Sequence, residues 1–573
     1  MTGGVAPLRD RRMSDTKTSV RPGRRVAEQA ALAGWIMLMA GGAVAQTAPS
    51  PGAVLQQTAP VTSTPSVPGT VFSLPAPAAQ ARDNSVQIPV SHLVIDGATL
   101  LSPESLHTAV ASAEGQSLTL DQLNALVSRI GEAYHAAGYP VAFAYLPAQT
   151  VANGVIHIAV VEPRYDRVTA TGTSRLDAAR TVGTMGVKVG DPVAQAPLER
   201  GLLLLQETPG VQVRGVLVAG GSPGTSALEL ERTDLPVLSG MVSLDNHGNR
   251  YTGKVLGRID VAANDPFGQG SSLGANALSS TTGGMTAAGL RASSPDLGNG
   301  LRLGAYASAT HYTLGEDFAN LDESGTSTQA GLSLSYPLVL QTGKRLDLRF
   351  DLSRNRSTQT VGATDTWSRQ NITLGQITLS GAASGQGGAV TSGRVALSFG
   401  DLAISPDAAL TADAAGLNTA GRFQTLRFLL SRTQPLGTAL TFSADLSGQI
   451  ATRNLDSSQK FYLGGPDAVM SVAVGDGGGD AGALLRLRLE RAFAHPGTGT
   501  LSGALIAQAG EVWVDHTPAS GSTDPNRQSA GAVGVALDYA QGPWQFNAAV
   551  VAAVGAQNLD AGTQLWLGAQ MTF

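Results

Sequence analysis

From about Leu235 to Phe573 the chain carries no convincing amphipathic helix, and in many stretches its apolar residues return at every second position. In Leu346-Asp347-Leu348-Arg349-Phe350-Asp351-Leu352 the odd positions are charged and the even ones wholly apolar. Leu440, Phe442, Ala444, Leu446 and Ile450 alternate with Ser443, Asp445, Ser447 and Gln449. Leu485, Leu487 and Leu489 alternate in the same way with Arg486, Arg488 and Glu490. A period of two sends successive side chains to opposite faces of a β-strand, so each such strand has one apolar and one polar face. A soluble β-sandwich alternates too, but it buries its apolar face and rarely needs about 340 residues. In a transmembrane barrel the apolar face meets lipid and the charged face lines a wet lumen. Closure is then forced, because an open sheet edge in hydrocarbon leaves backbone groups unpaired. At about 20 residues per strand with its turn, roughly 16 antiparallel strands are expected.

Composition narrows the function classes. Charged residues make up 14% of the chain, against roughly 25% in a typical soluble protein, and 70 of 573 residues are glycine. That excludes a charge-clad cytosolic enzyme as the starting assumption. A net charge of −5 argues against nucleic acid as a partner, since phosphate contacts need clustered Lys and Arg. The absence of cysteine removes disulfide scaffolds, zinc ribbons and thiol nucleophiles together. No apolar run reaches the ~20 residues of a membrane-spanning helix.

Ahead of the alternating region the pattern changes twice. A basic stretch with Arg21, Arg24 and Arg25 runs into apolar Ala30 to Gly42 and the small-residue pattern Ala43-Val44-Ala45, which reads as a secretory signal peptide over 1–45, with Met13 a candidate start. Pro49, Pro51, Pro60, Pro65, Pro68, Pro75 and Pro77 then mark 46–87 as an extended, mobile linker.

Two small repeats follow, at 88–162 and 163–233. In the first, His92 to Asp96 reads as a strand and Pro103 to Ala113 as a short helix. Thr119 and Gln122 form a capping box for a second helix, whose Leu123, Leu126, Val127, Ile130 and Tyr134 share one face. Strands over Val141 to Leu146 and Val155 to Val161, joined by a turn at Asn153-Gly154, complete the order β-α-α-β-β. The order repeats with a strand at Val168 to Thr171, a helix at Arg175 to Thr184, and a helix entered at Pro197 and lined by Leu198, Leu202 and Leu205. Strands at Val211 to Val218 and Leu228 to Glu231 close it.

Motifs for chemistry are decoys here. Gly477 to Gly482 spells G-x-G-x-x-G, but a strand rather than a phosphate-facing helix follows. Gly270-Ser271-Ser272-Leu273-Gly274 matches a nucleophile elbow without its strand, turn and helix. Gly343-Lys344 lacks the glycine of a phosphate loop, and histidines such as His157 and His247 show no ligand spacing. No catalytic residue, metal ligand or cofactor is expected.

The signal, the two repeats and a barrel ending on Phe573 resemble the outer-membrane transporters of two-partner secretion, the haemolysin secretion/activation (TpsB) family, from about Ile88 onward. The stretches that carry the resemblance are Leu202 to Val211, Asp245 to Gly253 and Phe461 to Pro466. It implies an outer-membrane barrel, at 234–573, preceded by two periplasmic POTRA domains. These would catch an unfolded exoprotein and pass it through the barrel without nucleotide. Leu202, Leu205, Val211 and Val213 are the expected capture surface, where a chain could add as a strand. Trp566 and Phe573 are the expected signal to the barrel assembly machinery, and outer-membrane lipids the expected surroundings.

The resemblance also implies a long lumen loop, here from Gly464, Gly465 and Pro466 through Met470 to Asp480. The family's Val-Arg-Gly-Tyr or Val-Arg-Ala-Tyr tetrapeptide is replaced by Val469-Met470-Ser471-Val472. Its Phe-x-Asp-x-Gly on the barrel wall is replaced by Ile506-Ala507-Gln508-Ala509-Gly510. With both charged partners missing, Met470 and Gln508 strand no charge, and the loop is expected to be held by backbone and van der Waals contacts. Glu511, an odd number of residues from Gln508, should face away. The family's lumen helix has no good candidate in the Pro-rich linker. Alternatives are an assembly factor for other barrels, which usually carries more repeats, a passive porin, and a secreted adhesin.

Overall fold

The computed structural model describes residues 50–55, 57, 66–69, 86–493 and 499–573. The signal peptide expected at 1–45 and most of the linker lie outside the described residues. The linker does contribute one helical turn, α1 (Pro51–Leu55), which the sequence reading did not anticipate.

The first α/β unit contains β1 (Gln87–Val90), β2 (His92–Asp96), α2 (Pro103–Val110), β3 (Gln116–Thr119), α3 (Leu120–Ala136), β4 (Phe143–Tyr145) and β5 (Val155–Val161). β2 pairs parallel with β5 and β4 antiparallel with it, giving the order β2-β5-β4, while β1 and β3 form a separate ribbon. Both bonds of the capping box form at the start of α3, from the Thr119 N–H to Gln122 Oε1 at 2.8 Å and from the Gln122 N–H to Thr119 Oγ1 at 3.3 Å. They satisfy two N–H groups that a helix start otherwise leaves free. The five apolar residues of its periodic face are all buried. Asn153 and Gly154 both take positive φ, 56° and 72°, as a tight hairpin turn requires. The strand expected from Val141 shrinks to β4, because the Ala142 N–H closes a turn on the Tyr139 carbonyl.

The second unit contains β6 (Arg164–Thr171), α4 (Ala178–Met185), α5 (Gln195–Gln206), β7 (Val211–Ala219) and β8 (Thr225–Asp234), with sheet order β6-β8-β7. Asp177 caps α4 by accepting the Arg180 N–H, and Gly186 ends it at φ +68°. Helix α5 has two apolar faces. Leu198, Leu202 and Leu205 enter the core of this unit, while Leu203 and Leu204 pack on Leu340 of the barrel.

Sixteen strands, from Leu238–Asp245 to Gln564–Thr572, close into one antiparallel barrel. Parity sorts its faces: Phe350, Leu352, Leu430, Leu505, Val535 and Leu565 are exposed on the outside. The intervening charges pair on the inner face, Arg349 with Asp351 at 2.7 Å and Arg486 with its register neighbour Asp445 at 3.1 Å. One end of the barrel, called the near end below, carries the second α/β unit. There the Asp177 N–H donates to the Gly268 carbonyl at 3.0 Å, and Arg200 Nη2 to the carbonyls of Asn299 and Pro337 at 2.9 and 2.8 Å. Glu199 accepts the Thr342 N–H and Glu207 pairs with Arg345 at the same rim.

The closing seam runs from Gly568 opposite Asp245 to Thr572 opposite Met241, and Gly240 and Phe573 exchange both backbone bonds at 2.8 and 3.0 Å. The Phe573 ring lies over Gly240, where a Cβ would stand 2.5 Å from it. Past Asp245 the Asn246 side chain takes over the ladder. Its Oδ1 accepts the Leu567 N–H at 2.7 Å and its Nδ2 donates to the Leu565 carbonyl at 2.8 Å. Directly opposed residues of an antiparallel pair stand ~5 Å apart, within disulfide reach. In this cysteine-free chain, Met241→Cys with Thr572→Cys should therefore oxidise spontaneously and keep the barrel folded to higher temperature in detergent gels. A pair that stays reduced would show that the seam register is different.

Candidate functional site

The longest connection between barrel strands joins Leu440–Ala451 to Ala481–Ala492 and turns back into the lumen. Its hairpin is fastened by the Gly464 N–H on the Asp476 carbonyl at 3.0 Å, the Val469 N–H on the Leu463 carbonyl at 2.8 Å and the Gly465 N–H on the Val472 carbonyl at 3.2 Å. A Cβ at Gly464 would stand 1.8 Å from the Ala473 oxygen, so only glycine permits this crossing. Gly465 takes φ +124° just before Pro466.

The tip of the loop is Met470. Its N–H donates to Gln508 Oε1 at 2.8 Å, and its carbonyl accepts from Trp566 Nε1 at 2.9 Å. Ser471 Oγ reaches the Gly531 carbonyl at 3.1 Å, and the Gly562 N–H the Ser471 carbonyl at 2.8 Å. The Met470 side chain packs with Ile506, Ala536, Val551 and Trp566. Met470 and Gln508 are thus brought together, by a neutral hydrogen bond from backbone to amide. Glu511 pairs instead with Arg527 at 2.5 Å.

The buried charge sits at the base of the loop. Asp480 is fully buried, with Lys460 Nζ at 3.3 Å and the N–H groups of Leu455 and His516 at 3.1 and 2.8 Å. Lys460 also pairs with Asp515 at 3.0 Å, tying this loop to the next one at the far end.

A second segment, Ser50 to Gln57, lodges at the far end of the lumen. Val54 packs with Tyr251, Leu256, Leu278, Met285 and Tyr312. The Gly52 N–H donates to Ser457 Oγ at 3.1 Å, and a Cβ there would collide with the Ser457 backbone. Asn249 links three elements: its N–H donates to Gln57 Oε1 at 3.0 Å, its Nδ2 to the Val474 carbonyl at 2.6 Å, and its Oδ1 accepts the Tyr251 N–H at 2.9 Å. At the near end, the Pro68 carbonyl accepts the Gly343 N–H at 3.0 Å. The stretch Asp245 to Gly253 was singled out in the sequence, but Asn249 had no visible partner there because both partners are distant in the chain.

One expectation needs correction. Leu202, Leu205, Val211 and Val213 are all at most 4% exposed in the core of the second unit, so they cannot touch a passing chain. What β7 presents outward is Gln212 and Arg214, on a strand bonded only to β8. Trp566 is buried in the lumen against Met470 and edge-on to His247 at 5.6 Å, whereas Phe573, seven residues on and of opposite parity, is 55% exposed outside.

Comparison with known proteins agrees with this arrangement. A family model described as haemolysin secretion/activation protein ShlB/FhaC/HecB matches residues 224–570, and one described as POTRA domain, ShlB-type, matches 88–163. The heme/hemopexin transporter protein HuxB of Haemophilus influenzae strain 86-028NP is 25% identical over 466 residues, covering 80% of this chain and 82% of that protein. The outer membrane transporter CdiB of Escherichia coli O6:K15:H31 strain 536 is 26% identical over 216 residues, 37% of this chain and 34% of its own. The solved structure of CdiB from Escherichia coli shares the fold with a TM-score of 0.70 at 20% identity, over 87% of this chain and 93% of that one.

The ion cluster at the loop base makes a sharp prediction. Lys460→Met leaves the buried Asp480 carboxylate without its cation, and breaking a buried pair from one side costs about 3 kcal/mol or more. The temperature at which the barrel loses its detergent-resistant fold should fall. An unchanged temperature would show that Asp480 is held adequately by backbone N–H groups alone.

Proposed function

Because the chain belongs to the haemolysin secretion/activation family ShlB/FhaC/HecB, outer-membrane transporters with periplasmic POTRA domains, we propose that it captures one unfolded partner polypeptide in the periplasm. It then passes that polypeptide through its own lumen to the cell surface, without nucleotide. The observation that carries this reading is the nature of what fills the lumen. Among the described residues it is filled by two segments of the chain itself, and Met470 and Ser471 at the loop tip are held by neutral hydrogen bonds. Such bonds are worth about 1 kcal/mol each and exchange readily for bonds to another backbone. An entering chain offers those replacements one residue at a time.

Capture belongs to the second POTRA domain, which is bonded directly to the barrel mouth. The edge strand β7 offers main-chain groups that tolerate many sequences, as strand addition requires. Folding outside the cell supplies direction, since the folded product cannot re-enter; a passing chain needs no other source of bias. Purified Ile88 to Thr233 should bind the unfolded N-terminal part of the exoprotein in a calorimeter, and the absence of heat would remove this capture step.

Transport through the lumen leaves the seam between the first and last strands closed. Secretion by the barrel cross-linked at positions 241 and 572 should be normal if the lumen is the route. The loop tip provides the second test. Met470→Arg puts an unpaired charge among Ile506, Val551 and Trp566, at a cost of about 3 to 5 kcal/mol, and should lower secretion. Adding Gln508→Asp supplies a carboxylate on the wall strand opposite residue 470, within reach of the longer arginine, and should restore it. A double variant no better than the single one would mean that the two positions do not act as partners.

A further inference from the structure

The histidines of this chain show no ligand spacing in the sequence, yet the fold of the first POTRA domain brings two of them onto one carboxylate oxygen. His92 stands at the start of β2, His107 on α2, and Glu114 in the turn before β3. Glu114 Oε1 lies 2.7 Å from His92 Nδ1 and 3.3 Å from His107 Nε2, and all three ligand atoms fall within 4.8 Å of one another. Among the described residues this is the one place where three such groups converge. The imidazole rings are 6.0 Å apart and tilted by 44°, so they converge rather than stack.

We propose that His92, His107 and Glu114 bind a divalent first-row transition ion, zinc by the chemistry of the donors. Two imidazoles and one carboxylate make a three-ligand zinc set that leaves a fourth position for water. With metal–ligand bonds of about 2.0–2.2 Å, a tetrahedral site needs its ligand atoms roughly 3.4 Å apart. Oε1 stands 2.7 and 3.3 Å from the two nitrogens and no pair of the three atoms is more than 4.8 Å apart, so an ion enters after side-chain adjustments of about 1 Å. The carboxylate is already oriented, because the Leu93 N–H donates to the same Oε1 at 2.9 Å and the Gly115 N–H holds the turn on the Val90 carbonyl at 2.7 Å. Side-chain exposures of 58% for His92, 41% for His107 and 23% for Glu114 leave the site open to a hydrated ion.

The position gives the ion a structural effect. β2 is an edge strand of its sheet and α2 packs beside it. A bound ion would fasten this helix to that edge, replacing the ion-pair contact of His92 and the hydrogen bond of His107 with Glu114.

The full-length protein, free of any affinity tag and held in detergent micelles, can be titrated with zinc in a calorimeter. One ion per chain should bind saturably, and zinc should raise the temperature at which the periplasmic domains unfold. Loss of outer-shell partners alone weakens metal sites by 10–100-fold, so losing a ligand should cost roughly tenfold or more. His107→Ala and Glu114→Gln should each do so and abolish the thermal shift. His157→Ala, which removes a histidine paired with Asp96 elsewhere on the same domain, should change neither. Circular dichroism of the two ligand variants establishes that they are folded. No saturable binding to the parent protein, or equal affinity in both folded ligand variants, would overturn the proposal and leave the cluster a plain ion pair.

Discussion

Against hydrocarbon no backbone N–H or C=O can go unpaired, at a cost of several kcal/mol for each one that does. That constraint brings the last barrel strand onto the first and makes Asn246 continue the ladder with its side chain where the strand runs out. Closure has a consequence of its own. A ring of sixteen strands is too wide for wall side chains to fill, so the polar faces that parity turns inward must be matched by pairing and by inserted chain. The register pair Arg486 and Asp445 does the first, and the loop around Met470 with the segment around Val54 does the second.

Much of this architecture is written locally. Period-two alternation gives the strand faces, which depend only on near neighbours in the chain, while strand number follows from the length of the alternating region and closure from the hydrocarbon around it. The capping box at Thr119 and Gln122 is equally local, and it forms as the spacing requires. The pairing of residues 470 and 508 was legible only through resemblance, which aligns two distant stretches that share no local signal. What stayed hidden depends on which side of a tertiary contact a residue takes. Leu202 and Leu205 are apolar for the core of their own domain, not for a partner, and the run of leucines on α5 conceals two interfaces in one helix. Trp566 and Phe573 take opposite faces, as their odd separation requires. The helical turn at Pro51 has no periodicity to announce it, since its five residues are ordered by Ser457, Tyr462 and Asn249 rather than by their own propensity.

The distribution of charge along the lumen loop sets how it can move. Its tip is neutral and its base is ionic, with Lys460 between Asp480 and Asp515. Buried pairs resist separation more strongly than single neutral hydrogen bonds do. The tip is therefore the part that yields first, while the base stays fixed to the neighbouring loop. Such a loop swings from an anchored root.

The segment from Ser50 to Gln57 is joined covalently to the barrel it occupies. A ligand on the same chain competes at an effective concentration on the order of millimolar, whatever the number of copies in the membrane. Any translocating chain must therefore outcompete a resident rather than enter an empty pore. On the proposed route through the lumen, the resident would return at a rate set by its tether once the tail of that chain has left, and the lumen would reseal without help from a second molecule.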